Sequence, residues 1–295
     1  MSKYFNEIAR FSTVDSPPLD ELRKFPTLIE KPVTPNVSAN SGVAPAKDKK
    51  VPGESRLEWC GTIHNVSSVL LQNRFPESDS MQAAAESYRA LRARLLRLKA
   101  SQELRSVQLT SATAGEGKTM TALNLGVFCA QLHEMSVLLL DADLRSQGLT
   151  RILKGPTSPG LAEVLAGQTE PEKAILATDV NNLYVLPAGK SDFAPPELLA
   201  GHRWQELMTW CNKTFKLIIV DSPPVLGLSD SELISASCDG VLMVVRARHV
   251  ERDVLKKAAQ QLDAEKLLGL VYNGDEHGKK HSYFYGAPES PLKLG

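Results

Sequence analysis

The feature that most restricts how this chain can fold is a regular alternation of short apolar runs with helix-forming segments. VQLTS (107–111) is followed by a helix expected from Lys118, and VLLLD (137–141) by an irregular stretch with a short helix at 161–166. LYVLP (183–187) precedes a helix over 196–211, and KLIIVD (216–221) precedes one near Asp230. GVLMVV (240–245) precedes a helix over 252–263, and LLGLVYN (267–273) closes the pattern. Nearly continuous Val, Ile and Leu in runs of strand length means burial on both faces. The fold class expected is therefore α/β, a mostly parallel sheet flanked by helices on both faces. In such sheets ligands bind beyond the carboxyl ends of the strands, so the loops there carry the function.

The rest of the chain divides by composition. Residues 1–55, rich in Pro, Ser, Lys and Ala, cannot bury enough apolar surface to offset ordering and read as a disordered or linker arm. Residues 56–80 are less polar, and their runs suit packing on a domain edge. A helical pattern starts near Asp79 and opens the main domain, 81–275, while 276–295 read as a flexible tail. Formal net charge is zero, so no global field favours nucleic acid or an anionic surface. Cys60, Cys129, Cys211 and Cys238 lie far apart without a CxxC, as expected of reduced thiols. No run approaches the roughly 18–20 apolar residues of a membrane span, so the expected protein is cytoplasmic.

Three strand ends carry chemistry. ATAGEGKT (112–119) lies between a strand and a helix, the setting a phosphate-binding loop requires. Ala114, Gly115, Glu116, Gly117, Lys118, Thr119 and Met120 are the expected nucleotide contacts. The glycines let backbone N–H groups turn inward, Lys118 reaches the β- and γ-phosphates, and the Thr119 hydroxyl meets Mg²⁺. Such loops usually open with Gly, and Ala112 stands there instead. LLLDADLR places Asp141 and Asp143 at a strand end, where carboxylates hold Mg²⁺ through water, or orient or deprotonate an attacking hydroxyl. LIIVDSPP places Asp221 where a carboxylate anchors the metal's water shell. Arg145 suits either a structural ion pair or a phosphate-side cation, and Asp230 suits a helix N-cap better than a ligand.

Together AGEGKT, VLLLDADLR and LIIVDSPP resemble the bacterial tyrosine kinases of polysaccharide export, built on the P-loop ATPase fold of partition and division-site ATPases. The resemblance spans roughly 86–273 and continues through SPGLAEVLAG, LYVLPAGKSDFAPPELL, DGVLMVVR and LGLVYN. Partition-type members carry a lysine in the loop where this chain has Thr113, and in lacking it the chain resembles the kinase branch. The family's asparagine before Pro is Ala194 here, and a threonine it often has near Val250 is missing.

The resemblance implies several roles. Glu86, Arg89 and Arg92, in the spacing ExxRxxR, would contact a neighbouring subunit in a ring; sharing one helix face, they also suit an intrahelical Glu–Arg pair worth about 0.2–0.5 kcal/mol. Asn273 would lie near the adenine, or close a strand-end turn. Tyr283 and Tyr285, in HSYFYG, would be autophosphorylation sites, a thin cluster for the family. The implied activity is ATP- and Mg²⁺-dependent tyrosine autophosphorylation regulating exopolysaccharide chain length, polymerisation and export, with Lys118, Asp141, Asp143 and Asp221 as the catalytic set. The implied partners are further copies of the chain and an integral membrane chain-length determinant that holds it at the inner membrane. A regulatory ATPase that switches a membrane partner without modifying tyrosine keeps every nucleotide motif and is the alternative. A vestigial scaffold conflicts with the intact Lys118, Thr119, Asp141 and Asp221, and no cysteine pair is placed for an iron–sulfur ATPase.

Overall fold

The computed structural model describes residues 61–64, 66 and 78–274, with side chains in its first long helix from residue 84. The readings placed on the arm, on Cys60 and on the tail with Tyr283 and Tyr285 lie outside the described residues. In chain order the elements are β1 (Thr62–Ile63), α1 (Ser78–Gln102), β2 (Ser106–Ser111), α2 (Lys118–Ala130), β3 (Val137–Asp141), α3 (Gly148–Leu153) and α4 (Leu161–Leu165). There follow β4 (Leu176–Thr178), β5 (Leu183–Leu186), α5 (Pro195–Ala200), α6 (His202–Thr214), β6 (Leu217–Asp221), α7 (Asp230–Ala236), β7 (Gly240–Arg246), α8 (Arg252–Gln261) and β8 (Leu267–Asn273).

The strands form one sheet in the order β1-β4-β5-β3-β6-β2-β7-β8. Every pairing is parallel except β4 with β5. The period-2 alternation of a strand sorts its side chains onto two faces. Val137 and Leu139 of β3, with Leu217 and Ile219 of β6, pack against α2 in one core layer. Leu138, Leu140, Ile218 and Val220 face the opposite layer, which includes Trp204, Met208 and Phe215. A smaller cluster joins Met243 and Val245 of β7 to Ala258 and Leu262 at α8.

The chain leaves β2 toward β3 and leaves β6 toward β7, so connections from two neighbouring strands depart in opposite directions. That divergence opens a crevice at their carboxyl ends, between the loops after Ser111 and after Asp221. Helix α1 grips the far end of α2: Tyr88 stacks on Phe128 at 5.7 Å, and Arg92 Nη1 donates to the Phe128 carbonyl at 2.7 Å.

Several local expectations are revised. The stretch after β3 is not wholly irregular before α4, because Gly148–Leu153 forms α3. The helix expected over 196–211 is two helices, since Gly201 is extended (φ −70°, ψ 154°) and serves both as the end of α5 and as the start of α6. Strands β1 and β4 have two and three residues, too few for periodicity to reveal. Cys129, Cys211 and Cys238 are free and buried, and burial pushes the Cys129 and Cys238 thiols up to about 12. Among the described residues no helix is long and apolar enough to cross a membrane.

The start of α4 is clamped to the exit of β5. Leu161 N donates to Pro187 O at 2.7 Å and Ala162 N to Ala188 O at 2.9 Å. Glu163 closes the clamp, accepting from Gly160 N at 2.9 Å, Lys190 N at 3.1 Å and Ser158 Oγ at 2.6 Å. A Cβ on Gly160 would strike the Gly189 amide nitrogen and lie 2.6 Å from Gly189 Cα, so backbone would have to move. Gly160→Ala is therefore expected to lower Tm by roughly 2–12 °C, from overpacking of about 1–3 kcal/mol. Gly61→Ala, whose new Cβ would meet only Leu176 Cδ2 at 3.6 Å, is the control, and thermal unfolding of equal size for both would refute the clamp.

Candidate functional site

The loop between β2 and α2 is held open by its carbonyls. Ser111 Oγ donates to Thr113 O at 2.6 Å, His249 Nε2 lies 3.0 Å from Ala114 O, and Arg246 Nη1 reaches Gly115 O at 3.3 Å. Asn273 Nδ2 donates to Glu116 O at 2.9 Å, and Thr121 takes Gly117 O with both its N–H (2.9 Å) and its hydroxyl (2.9 Å). In a trans peptide the N–H points opposite the carbonyl, so outward-tied carbonyls turn the next residues' N–H groups inward. Gly115 (φ 84°) and Gly117 (φ 93°) supply the left-handed backbone this needs, whereas Ala112 is not left-handed and sits fully buried at the strand exit. Gly117 is the N-cap of α2 and brings no side-chain cap, leaving the helix N-terminus open to an anion.

Glu116 faces away from the phosphate cradle. It is fully buried, accepting from Thr113 N at 2.6 Å, Thr113 Oγ1 at 3.1 Å and Arg246 N at 3.3 Å. Thr113, the position where partition-type loops carry lysine, is thus tied within the loop.

Strand parity brings the carboxylates to the same side. Asp141 and Asp221 are register partners on β3 and β6, at the same parity as Leu139 and Ile219, and so project onto the face covered by α2. Asp141 Oδ2 accepts from Thr150 N at 2.8 Å and Thr150 Oγ1 at 2.7 Å, while its Oδ1 is buried without a hydrogen-bond partner. Both oxygens of Asp221 are buried and unpartnered as well. Asp143 accepts from Ser146 N at 3.0 Å and from the Ser146 hydroxyl, and its Oδ2 lies 3.4 Å from Lys118 Nζ.

Burial penalises charge on these carboxylates. It pushes Asp221 up to about 8, with the nearby Asp141 charge adding to the effect. Lys118 and the Thr119 hydroxyl offset part of that, although the hydroxyl makes no hydrogen bond of normal geometry to Asp221. Asp141 is pushed by burial to about 6, with Thr150's two hydrogen bonds acting the other way and the nearby Asp143 N–H adding to them, although that N–H makes no hydrogen bond of normal geometry to Oδ1. Unpartnered carboxylate oxygens beside a threonine hydroxyl and a lysine suit a hard dication. No set of three or more His, Cys, Asp or Glu side chains among the described residues forms a metal cage, so phosphates and water would supply the remaining Mg²⁺ ligands.

Other residues singled out from the sequence fall as follows. Arg145 pairs with Asp230 through Nε (2.8 Å) and Nη2 (3.2 Å). Asp230 is consequently no N-cap: Ser229 holds that position, and Asp230 is the first residue of α7. Asn273 packs on the loop, and a Cβ on Gly117 would overlap its Nδ2. Glu86 and Arg89 form an exposed pair at 3.1 Å, whereas Arg92 is engaged with Phe128. Met120 lies half-buried in the first turn of α2. Sequence reasoning missed Thr150, Ser146, His249 and the tether made by Arg246. Their roles depend on chain return, and no local pattern marks them.

Residues 105–264 match the AAA domain family. The tyrosine-protein kinase YwqD of Bacillus subtilis is 31% identical over 229 residues, covering 77% of this chain and 96% of that protein. The tyrosine-protein kinase CpsD of Streptococcus agalactiae is 30% identical over 174 residues, 58% of this chain and 76% of that one. Among solved structures, the kinase domain of the Escherichia coli tyrosine kinase ETK superposes with a TM-score of 0.62 at 32% identity, covering 65% of this chain and 75% of that domain.

The carboxylate pair predicts a pH dependence. A raised folded-state value means that the folded chain binds more protons than the unfolded one between about pH 4 and pH 8. Asp221 therefore contributes stability that is present below the ordinary Asp value of 3.8 and lost as pH rises through about 8. Without nucleotide and metal, Asp221→Asn should unfold at a higher temperature than the wild type, by a margin that widens from about pH 6 to about pH 8.5. A margin independent of pH in thermal unfolding would contradict this assignment.

Proposed function

The chain belongs to the AAA domain family and, within it, to the bacterial tyrosine kinases, and from that premise we propose that it is an ATP-dependent autokinase that phosphorylates Tyr283 and Tyr285 of a neighbouring copy. The observation that carries the reading is the set of unpartnered carboxylate oxygens, Oδ1 of Asp141 and both of Asp221, buried close to Lys118 at an uncapped helix N-terminus.

The inward N–H groups of the loop and Lys118 hold the nucleotide phosphates, and Thr119 and Asp221, with Asp141 beside them, hold the metal. Held there, Mg²⁺ would supply positive charge against the charge that develops on the phosphates in transfer. Asp143 fixes the Lys118 ammonium. Asp141 accepts the hydrogen bond of the incoming tyrosine hydroxyl through Oδ1 and orients or deprotonates it. The hydroxyl oxygen bonds to the γ-phosphorus as the bond from that phosphorus to the β–γ bridging oxygen breaks, and ADP leaves. Such transfer depends on position and charge stabilisation and needs no covalent enzyme intermediate. Asn273 lies at the adenine end of the site.

The wider setting follows from the family resemblance. The kinase self-associates through α1 by Glu86 and Arg89, with Arg92 in the same triplet. It acts with an integral membrane chain-length determinant, which localises it to the cytoplasmic side of the inner membrane, and it regulates exopolysaccharide polymerisation and export.

Incubation of the purified protein with Mg·ATP followed by phosphosite mapping should place label on Tyr283 and Tyr285. Lys118→Met should lower the rate about 100-fold or more through loss of charge stabilisation. Phosphate released to water with both tyrosines unlabelled would overturn the kinase reading and leave a regulatory ATPase.

A further inference from the structure

Thr150 is almost fully buried in the short helix α3, outside every motif that marks the nucleotide site, and it makes three hydrogen bonds. Its N–H and hydroxyl both approach Asp141 Oδ2, at 2.8 and 2.7 Å, while the Ala188 N–H approaches its Oγ1 at 2.9 Å. The last contact assigns the hydroxyl proton. An amide N–H can only donate, so Oγ1 accepts from Ala188 and its own proton goes to the carboxylate. Two donors thus converge on one oxygen of Asp141, and the other, Oδ1, is left buried and unpartnered on the α2 face.

We propose that Thr150 is a positioning residue for phosphoryl transfer, selecting Oδ1 of Asp141 as the oxygen that meets the phosphate acceptor. This rests on the kinase reading above for the identity of the acceptor, not for the geometry. A carboxylate at a strand end can turn about its Cα–Cβ and Cβ–Cγ bonds, and either oxygen can then face the crevice. Twin donors on Oδ2 stop that rotation. The anchor is itself braced, because Thr150 is tied to Ala188 and the neighbouring Gln147 Nε2 donates to Gly189 O at 3.0 Å. Pro187 and Ala188 also receive the start of α4, so the orientation of Asp141 is referred through Thr150 to the clamped exit of β5.

The function of Thr150 requires a hydroxyl, not merely its volume, and two variants separate these. Thr150→Val keeps the shape and loses the proton on Oδ2 as well as the acceptor for Ala188. Thr150→Ser keeps both. Steady-state autophosphorylation should show kcat lowered roughly 10- to 100-fold in Thr150→Val, as expected for a misoriented reacting group, with KM for ATP unchanged within about 2-fold. Thr150→Ser should restore kcat to within about 3-fold of the wild type. Stabilisation of Thr150→Val by ATP in thermal unfolding establishes that the variant is folded and binds nucleotide. Should Thr150→Val fail to fold, Thr150→Cys, which retains a weak donor, takes its place and is expected between the two. A kcat within about 2-fold of the wild type in the hydroxyl-free variant overturns the proposal, as does a serine variant impaired as deeply as valine. If the wild type releases phosphate to water and labels no tyrosine, the kinase reading fails by itself. The same split of kcat from KM, read on phosphate release, then decides the role of Thr150.

Discussion

The β3–β6 ladder registers Asp141 opposite Asp221 at the ends of two fully buried strands, and burial raises the proton affinity of both. Two carboxylates in that position repel each other and lack water to screen them, so the surroundings must either neutralise or restrain them. Asp141 has one oxygen restrained by Thr150, and Asp221 has neither oxygen restrained. The resulting site has a strong demand for positive charge. Lys118 meets part of it from the first turn of α2, and a bound dication would meet the rest.

The same economy of partners governs the phosphate loop. The carbonyls of Ala114, Gly115 and Glu116 are taken by groups from the turn between β7 and α8, from β7 and from β8, which lie far off in sequence. Glu116 is drawn to the same side by the Arg246 N–H. An anion is therefore received by backbone N–H groups whose direction is set before it arrives, which lowers the reorganisation needed on binding. The loop and the carboxylates converge because β2 and β6 are neighbours whose connections diverge.

Much of this was legible from residue order. The expected strands at 107–111, 137–141, 183–187, 216–221, 240–245 and 267–273 correspond to β2, β3, β5, β6, β7 and β8 within a residue or so at each end. Long buried strands have a compositional signature because both faces are apolar. The antiparallel β4 and the two-residue β1 have none, and α3 begins after a left-handed Gln147 without a side-chain cap, so the usual start signal is missing. The expected helix over 196–211 concealed a break at Gly201, where helix-favouring neighbours outweighed a single glycine in the pattern. Asp230 followed Ser229 in an order that suits capping, yet the guanidinium of Arg145 claimed its carboxylate.

By itself the sequence determined the fold class, the phosphate loop and the strand-end carboxylates, because each depends on residue type and on neighbours a few positions away. Only the tertiary structure decided which partner each group takes: Thr150 for Asp141, Asp143 for Lys118, Arg145 for Asp230, and Asn273 for the loop. Those choices depend on ladder register and on chain segments that return from far away. Their energies belong to packing of the whole sheet, and no local pattern of residues encodes them.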